Sequence, residues 1–158
     1  MNEDLIIYTD RLIGGKIEEV DCVLSPAFIG VVESDFQFID PVHVKGAFYL
    51  TDDHLVGHLL ITTTLRQPCA ICNTVSPFPL TIENYYIAEP LENIPSGLYY
   101  PHEGIREAIL LEAPNFSECH GGNCPNRSAL TPFIRQHDQP LKDDTEAAHS
   151  YLPFKDLK

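Results

Sequence analysis

The stretch from Val42 to Ala88 limits the possible folds of this chain more than any other. Val42-His43-Val44-Lys45-Gly46-Ala47-Phe48-Tyr49-Leu50 alternates at its start and is rich in β-formers. Thr51-Asp52-Asp53-His54 carries turn chemistry, and Leu55 to Leu65, with its Thr62-Thr63-Thr64 run, reads as a returning strand. Val75 to Ala88 reads as a third strand. Pro77 and Pro79 have no N–H to give a ladder, so its first part is held to an edge or a bulge. Three such segments in succession predict an antiparallel meander.

Outside this stretch the signals are sparser. Residues 1–40 mix short apolar runs with turns and show no clear period, so no element is assigned there. Glu89 to Tyr100, with Pro90, Pro95 and Gly97, reads as a connecting loop. Ile105 to Glu112 is the best helix: Ile105, Ala108 and Ile109 share a face, and Pro114 ends it. Beyond Cys124 the chain turns polar until Tyr151-Leu152-Pro153-Phe154. The expected architecture is α+β: mostly antiparallel sheet with one main helix over 1–124, then a flexible C-terminal tail over 125–158.

A chain of 158 residues can bury roughly 68–70% of its unfolded surface, and 44% hydrophobic residues is the proportion of a globular protein. The start, Met1-Asn2-Glu3-Asp4-Leu5, lacks a basic n-region and a long apolar stretch, and no run reaches the ~18 apolar residues of a membrane span. A cytoplasmic location is expected, with cysteines as thiols or metal ligands. Of 23 acids and 10 bases, five of each lie in 125–158, so residues 1–124 hold 18 against 5 and the whole net charge of −13. Phosphate binding draws on Lys and Arg, so direct RNA binding by this body is disfavoured, whereas a basic protein would be attracted. The acidity would also serve solubility alone.

Four of the five cysteines form two close pairs, Cys69-Ala70-Ile71-Cys72 and Cys119-His120-Gly121-Gly122-Asn123-Cys124. Tetrahedral zinc takes four soft ligands, and short loops set two thiolates on one turn. Asn73, Gly121 and Gly122 tolerate the left-handed backbone that such turns need. Cys69, Cys72, Cys119 and Cys124 are therefore candidate zinc ligands in a structural site tying the sheet to the helix end. Reduced thiols and a redox disulfide remain open. His120 is a possible substitute ligand, and Cys22 reads as a small buried apolar residue. His54 and His58 share a strand face without partners at ligand spacing, and Asp52-Asp53 reads as turn chemistry. No nucleophile elbow, phosphate-binding glycine loop or H-E-x-x-H helix is present, so no active site is expected. At the end, Leu152, Pro153, Phe154, Leu157 and Lys158 form a candidate partner-binding motif, either docking outward or folding back.

Residues 42–88 and 105–125 resemble the YceD family of large ribosomal RNA accumulation proteins. The carriers are a strand pair leading into Cys69-Ala70-Ile71-Cys72, a further β segment, and the helix run Arg106-Glu107-Ala108-Ile109-Leu110-Leu111-Glu112-Ala113-Pro114. A cysteine soon follows, then Cys124-Pro125 and the ending Leu152-Pro153-Phe154-Lys155-Asp156-Leu157-Lys158. The resemblance implies a non-catalytic role in synthesis, processing or stability of large-subunit (23S-type) ribosomal RNA. With the charge, it points to a ribosomal protein or large-subunit assembly intermediate as partner. A free-standing zinc-stabilised binding module and a Cys-x-x-Cys redox protein are the alternatives.

Overall fold

The computed structural model describes residues 5–133. The strands are β1 (Ile7–Tyr8), β2 (Ile17–Leu24), β3 (Gln37–Phe38), β4 (Val42–Leu50), β5 (His54–Pro68), β6 (Val75–Pro90) and β7 (Leu98–Tyr99). The helices are α1 (His102–Glu112) and a distorted four-residue turn, α2 (Cys119–Gly122). All strand pairs are antiparallel. The expected α+β architecture, mostly antiparallel sheet with one main helix, is the one observed.

β4, β5 and β6 form the expected meander, and the long β5 organises it. β6 follows one side of β5 from Val75 to Pro90, while β4 and then β3 share the other, and β2 lies outside β4. β6 is thus an edge strand among the described residues. Thr64, opposite Pro79, turns its carbonyl away to the Ile39 N–H. Pro77 shares the parity of Pro79, so both missing N–H groups point away from β5 and no ladder bond is lost. Between Leu59↔Tyr85 and Ile61↔Ile82 the register slips, and Glu83 and Asn84 together oppose Leu60. Asn84 takes a φ of 58° to make this bulge.

One face of the sheet is covered. Leu55, Leu59 and Ile61 of β5, Val42, Val44 and Phe48 of β4, and Leu80 and Ile87 of β6 alternate inward and are buried. Against them pack α1, through Ile105 and Ile109, and the β1–β7 ribbon, through Ile7 and Tyr99. Truncating either α1 isoleucine to Ala would cost about 2–5 kcal/mol. Phe48 faces Gly57 across the strands, and its ring occupies the space that a side chain at Gly57 would take. Arg106 fixes α1 laterally by donating from Nε to the Ile29 carbonyl at 2.8 Å.

Several boundaries differ from the sequence expectation. β5 runs to Pro68 and β6 to Pro90, because ladder pairing carries both strands to the ends of the hairpin. The stretch expected to be loop, Glu89 to Tyr100, holds the end of β6, a 3-10 turn at Leu91–Asn93 and β7. α1 begins three residues early, at His102, and stops before Ala113, whose extended backbone precedes Pro114. β2 lies in the unassigned N-terminal part. There Glu18 points to the covered face with its Oε2 buried and unbonded, while Ile17 points outward, which scrambles the alternation. Cys22 is half-buried and packs on the core, and burial raises its thiol pKa.

The chain divides into two units, Met1–Asn126 and Arg127–Lys158. At the start of the expected tail, Pro125–Phe133 forms 3-10 turns with no buried side chain. The rest of that tail, including Leu152, Pro153, Phe154, Leu157 and Lys158, lies outside the described residues. Among the described residues no helix is long and apolar enough to cross a membrane.

Candidate metal centre

Cys69 and Cys72 sit at the tip of the β5–β6 hairpin, just past Pro68. The tip closes by Cys69 N–H donating to the Thr74 carbonyl and Asn73 N–H to the Cys69 carbonyl, both at 2.9 Å. Asn73 reverses the chain with a φ of 60°, the left-handed conformation its position predicts. Cys119 opens α2, and Cys124 follows it. His120, Gly121 and Gly122 in succession take φ values of 56°, 64° and 92°, folding the chain so tightly that both sulfurs face one side. The glycines adopt this backbone without steric penalty, whereas His120 carries a Cβ there.

The two segments meet. The four Sγ atoms of Cys69, Cys72, Cys119 and Cys124 all lie within 4.8 Å of one another, and Cys72 Sγ is 3.7 Å from Cys119 Sγ. A tetrahedron of sulfurs about 2.3 Å from a central ion has edges of about 3.8 Å. A disulfide needs about 2.05 Å. All four are free thiols, with Cys69, Cys119 and Cys124 buried and Cys72 half-buried. This donor set can hold a metal ion, and each expected ligand is in place. It also leaves no coordination position for substrate, which marks structural rather than catalytic metal sites.

Neighbouring groups prepare the sulfurs unequally. The Cys69 sulfur accepts from the N–H groups of Ile71 at 3.4 Å and Cys119 at 3.3 Å. Its thiol is brought down to about 6, first by the Cys72 N–H and then by that of Cys119. Cys72 is lowered chiefly by the Thr74 hydroxyl. Burial pushes Cys119 up to about 12 and raises Cys124. A cation at the centre would supply the positive charge that those two buried thiolates lack.

Some supporting residues carried no sequence signal. Ser117 accepts from the Ala70 N–H at 2.8 Å through its carbonyl, and its hydroxyl accepts from the buried Gln67 amide, so the hairpin tip and the post-helix segment are joined beside the sulfurs. Gln67 has the inward parity of Leu65, the only hint that it faces something. His120 lies outside the four-sulfur set, its Nδ1 3.2 Å from Cys119 Sγ. Of the other candidates, His54 bonds the neighbouring Asp53 at 2.7 Å, and that bond lowers the Asp53 carboxyl. Thr51 closes the same turn by accepting from His54 N–H at 3.2 Å. Comparison with protein-family models, with curated proteins and with solved structures returns no match to this chain.

Proposed function

We propose that the chain is a non-catalytic, zinc-stapled acidic adaptor of the YceD type, supporting synthesis, processing or stability of large-subunit ribosomal RNA through a protein partner. The observation that carries the reading is the convergence of two cysteine regions, 46 residues apart in sequence, on one four-sulfur cluster. Those are the two regions on which the family resemblance rests. Zinc is the proposed ion because four thiolates in a closed tetrahedral set suit a cation without redox chemistry or open positions. The balance of 18 acids to 5 bases over residues 1–124 favours a basic ribosomal protein, or an assembly intermediate exposing one, over bare RNA. The terminal residues Leu152, Pro153, Phe154, Leu157 and Lys158 are proposed as a second contact.

The redox alternative draws on the lowered Cys69 thiol, since a thiolate near neutral pH is a nucleophile. Its sulfur is buried among three others and so is poorly placed to meet a substrate disulfide.

Sedimentation tests the reading. In lysates fractionated on sucrose gradients, the full chain is expected to travel with large-subunit precursors, and its depletion to lower large-subunit RNA relative to small. Removing residues 150–158 should reduce co-sedimentation. A protein found only at the top of the gradient, with unchanged RNA ratios on depletion, overturns the proposal.

A further inference from the structure

The second face of the sheet carries no covering layer among the described residues. Four large side chains stand out on it: Ile17 at 65% exposure, Tyr49 at 38%, Leu60 at 39% and Tyr86 at 64%. The register groups them, for Ile17 pairs with Tyr49 in one cross-strand row and Tyr86 pairs with His58 in the next. Leu60 occupies the third row, beside Lys45. Single exposed apolar residues are ordinary, whereas a contiguous group on one sheet face marks an interaction surface.

This surface is also preset. His58 and Tyr86 stack in parallel, with ring centroids 4.4 Å apart and planes within 2°. His58 Nε2–H donates to Asn84 Oδ1 at 3.0 Å, so the bulge holds the stack flat. Next to it a groove of about 410 Å³ is bounded by Lys45, Gly46, His58, Leu60, Glu83 and Asn84. Position 46 admits only glycine, because a Cβ there would lie 2.0 Å from the His58 carbonyl oxygen. Glu83 borders this groove, and Glu19 and Asp21 border the adjoining one. Lys45, the cation beside both, is paired with Asp21 at 3.2 Å. Three carboxylates and one lysine leave the surroundings of the aromatic platform negative, and Arg66, a further cation on this face of β5, lies three rows beyond Leu60.

We propose that this face docks a basic protein segment presenting arginine between apolar side chains; the proposal deepens the reading of a protein partner given above and rests on it. A guanidinium can lie flat over the exposed Tyr86 ring while its edge meets a carboxylate in the groove. Apolar neighbours on the segment would cover Ile17, Tyr49 and Leu60. Nucleic acid would bring phosphates to the same carboxylates, and a second copy of the chain would bring its own, so both are repelled where an arginine segment is attracted.

Fluorescence anisotropy with the full chain and a labelled (Arg-Leu)4 peptide tests this. Wild type is expected to bind it, and a double Leu60→Ser, Tyr86→Ser variant at least tenfold more weakly. Glu83→Gln should weaken binding about threefold, and added salt should weaken it further. Leu111→Ser, at an exposed α1 position, should bind as wild type does. Unchanged melting curves would show that the variants, all at exposed positions, remain folded. The proposal is overturned if no peptide binding is seen, if (Glu-Leu)4 binds equally, or if the double variant binds as wild type. It is also overturned if oligouridine competes for these residues, or if wild type forms a dimer that the double variant loses. Co-sedimentation separates the two readings. Wild type found with precursors, but with peptide binding insensitive to the double variant, removes this surface and leaves the assembly role. Peptide binding lost in the double variant, with wild type absent from precursors, removes the assembly role and leaves the surface.

Discussion

Phe48 lies over Gly57: a methyl group added there would come within 2.5 Å of the Phe48 ring. Both belong to the centre of the sheet, Phe48 as a fully buried ring and Gly57 as its cross-strand partner. Gly57→Ala is therefore expected to destabilise by about 1–3 kcal/mol, the usual cost of overpacking a filled core. The gain from replacing a strand glycine, normally favourable, is outweighed. Urea melts of the two proteins check this. A variant as stable as wild type would show that the ring moves aside freely.

Protein purified under reducing conditions without added metal should carry about one equivalent of zinc by elemental analysis, and Cys119→Ser much less. Zinc supplies on the order of 10–16 kcal/mol of apparent binding free energy in zinc-finger peptides. Here the hydrophobic core between sheet and α1 is built from other residues, so a chelator should lower the melting temperature without abolishing folding. Hydrogen exchange should quicken first at residues 69–74 and 117–124. Only trace zinc in carefully reduced protein sinks the metal assignment.

Free large-subunit RNA is expected to bind no more tightly than the roughly 10⁻⁴–10⁻⁶ M of non-specific complexes near physiological salt. A gel-shift titration decides it. Sub-micromolar affinity with a steep salt dependence would mean that the five bases of residues 1–124 outweigh its 18 acids.

Burial pushes the Tyr99 phenol up to about 12, with the Glu89 carboxylate adding a smaller push. The unfolded phenol titrates near 10 (about its reference value). A raised folded pKa means that the native state holds its proton more tightly. The contribution to stability is complete below about pH 10 and is lost as pH climbs toward 12. Tyr99→Phe cannot ionise, so between those values its melting temperature should fall less steeply than that of wild type. Parallel slopes would show that the ring is more hydrated than its packing against Phe48 indicates.

The meander was legible because strand and turn residues alternate in the required order from Val42 to Ala88. α1 was legible because Ile105 and Ile109 lie one turn apart. β2 was hidden for a physical reason: Glu18 faces the core and Ile17 faces outward, against the usual pattern. β1 and β7 pair over only two residues, too short for a period to appear. Among the site residues, the chemistry of the thiols and the left-handed positions Asn73, Gly121 and Gly122 were readable. That Ser117 and Gln67 would meet across 50 residues was not, because side-chain partnering at that distance has no periodic trace.

Glu18 has a further consequence, for behaviour in a crowded cell. β2 is an outer strand among the described residues, and such strands readily recruit others into aggregates. An added strand would enclose still further a carboxylate whose Oε2 already lacks a hydrogen-bond partner. A buried carboxylate oxygen without a partner costs native stability, and an inward-pointing charge on an edge strand opposes strand addition. Glu18→Val should melt higher in dilute solution yet precipitate sooner on concentration, a trade that light scattering beside thermal melts would reveal.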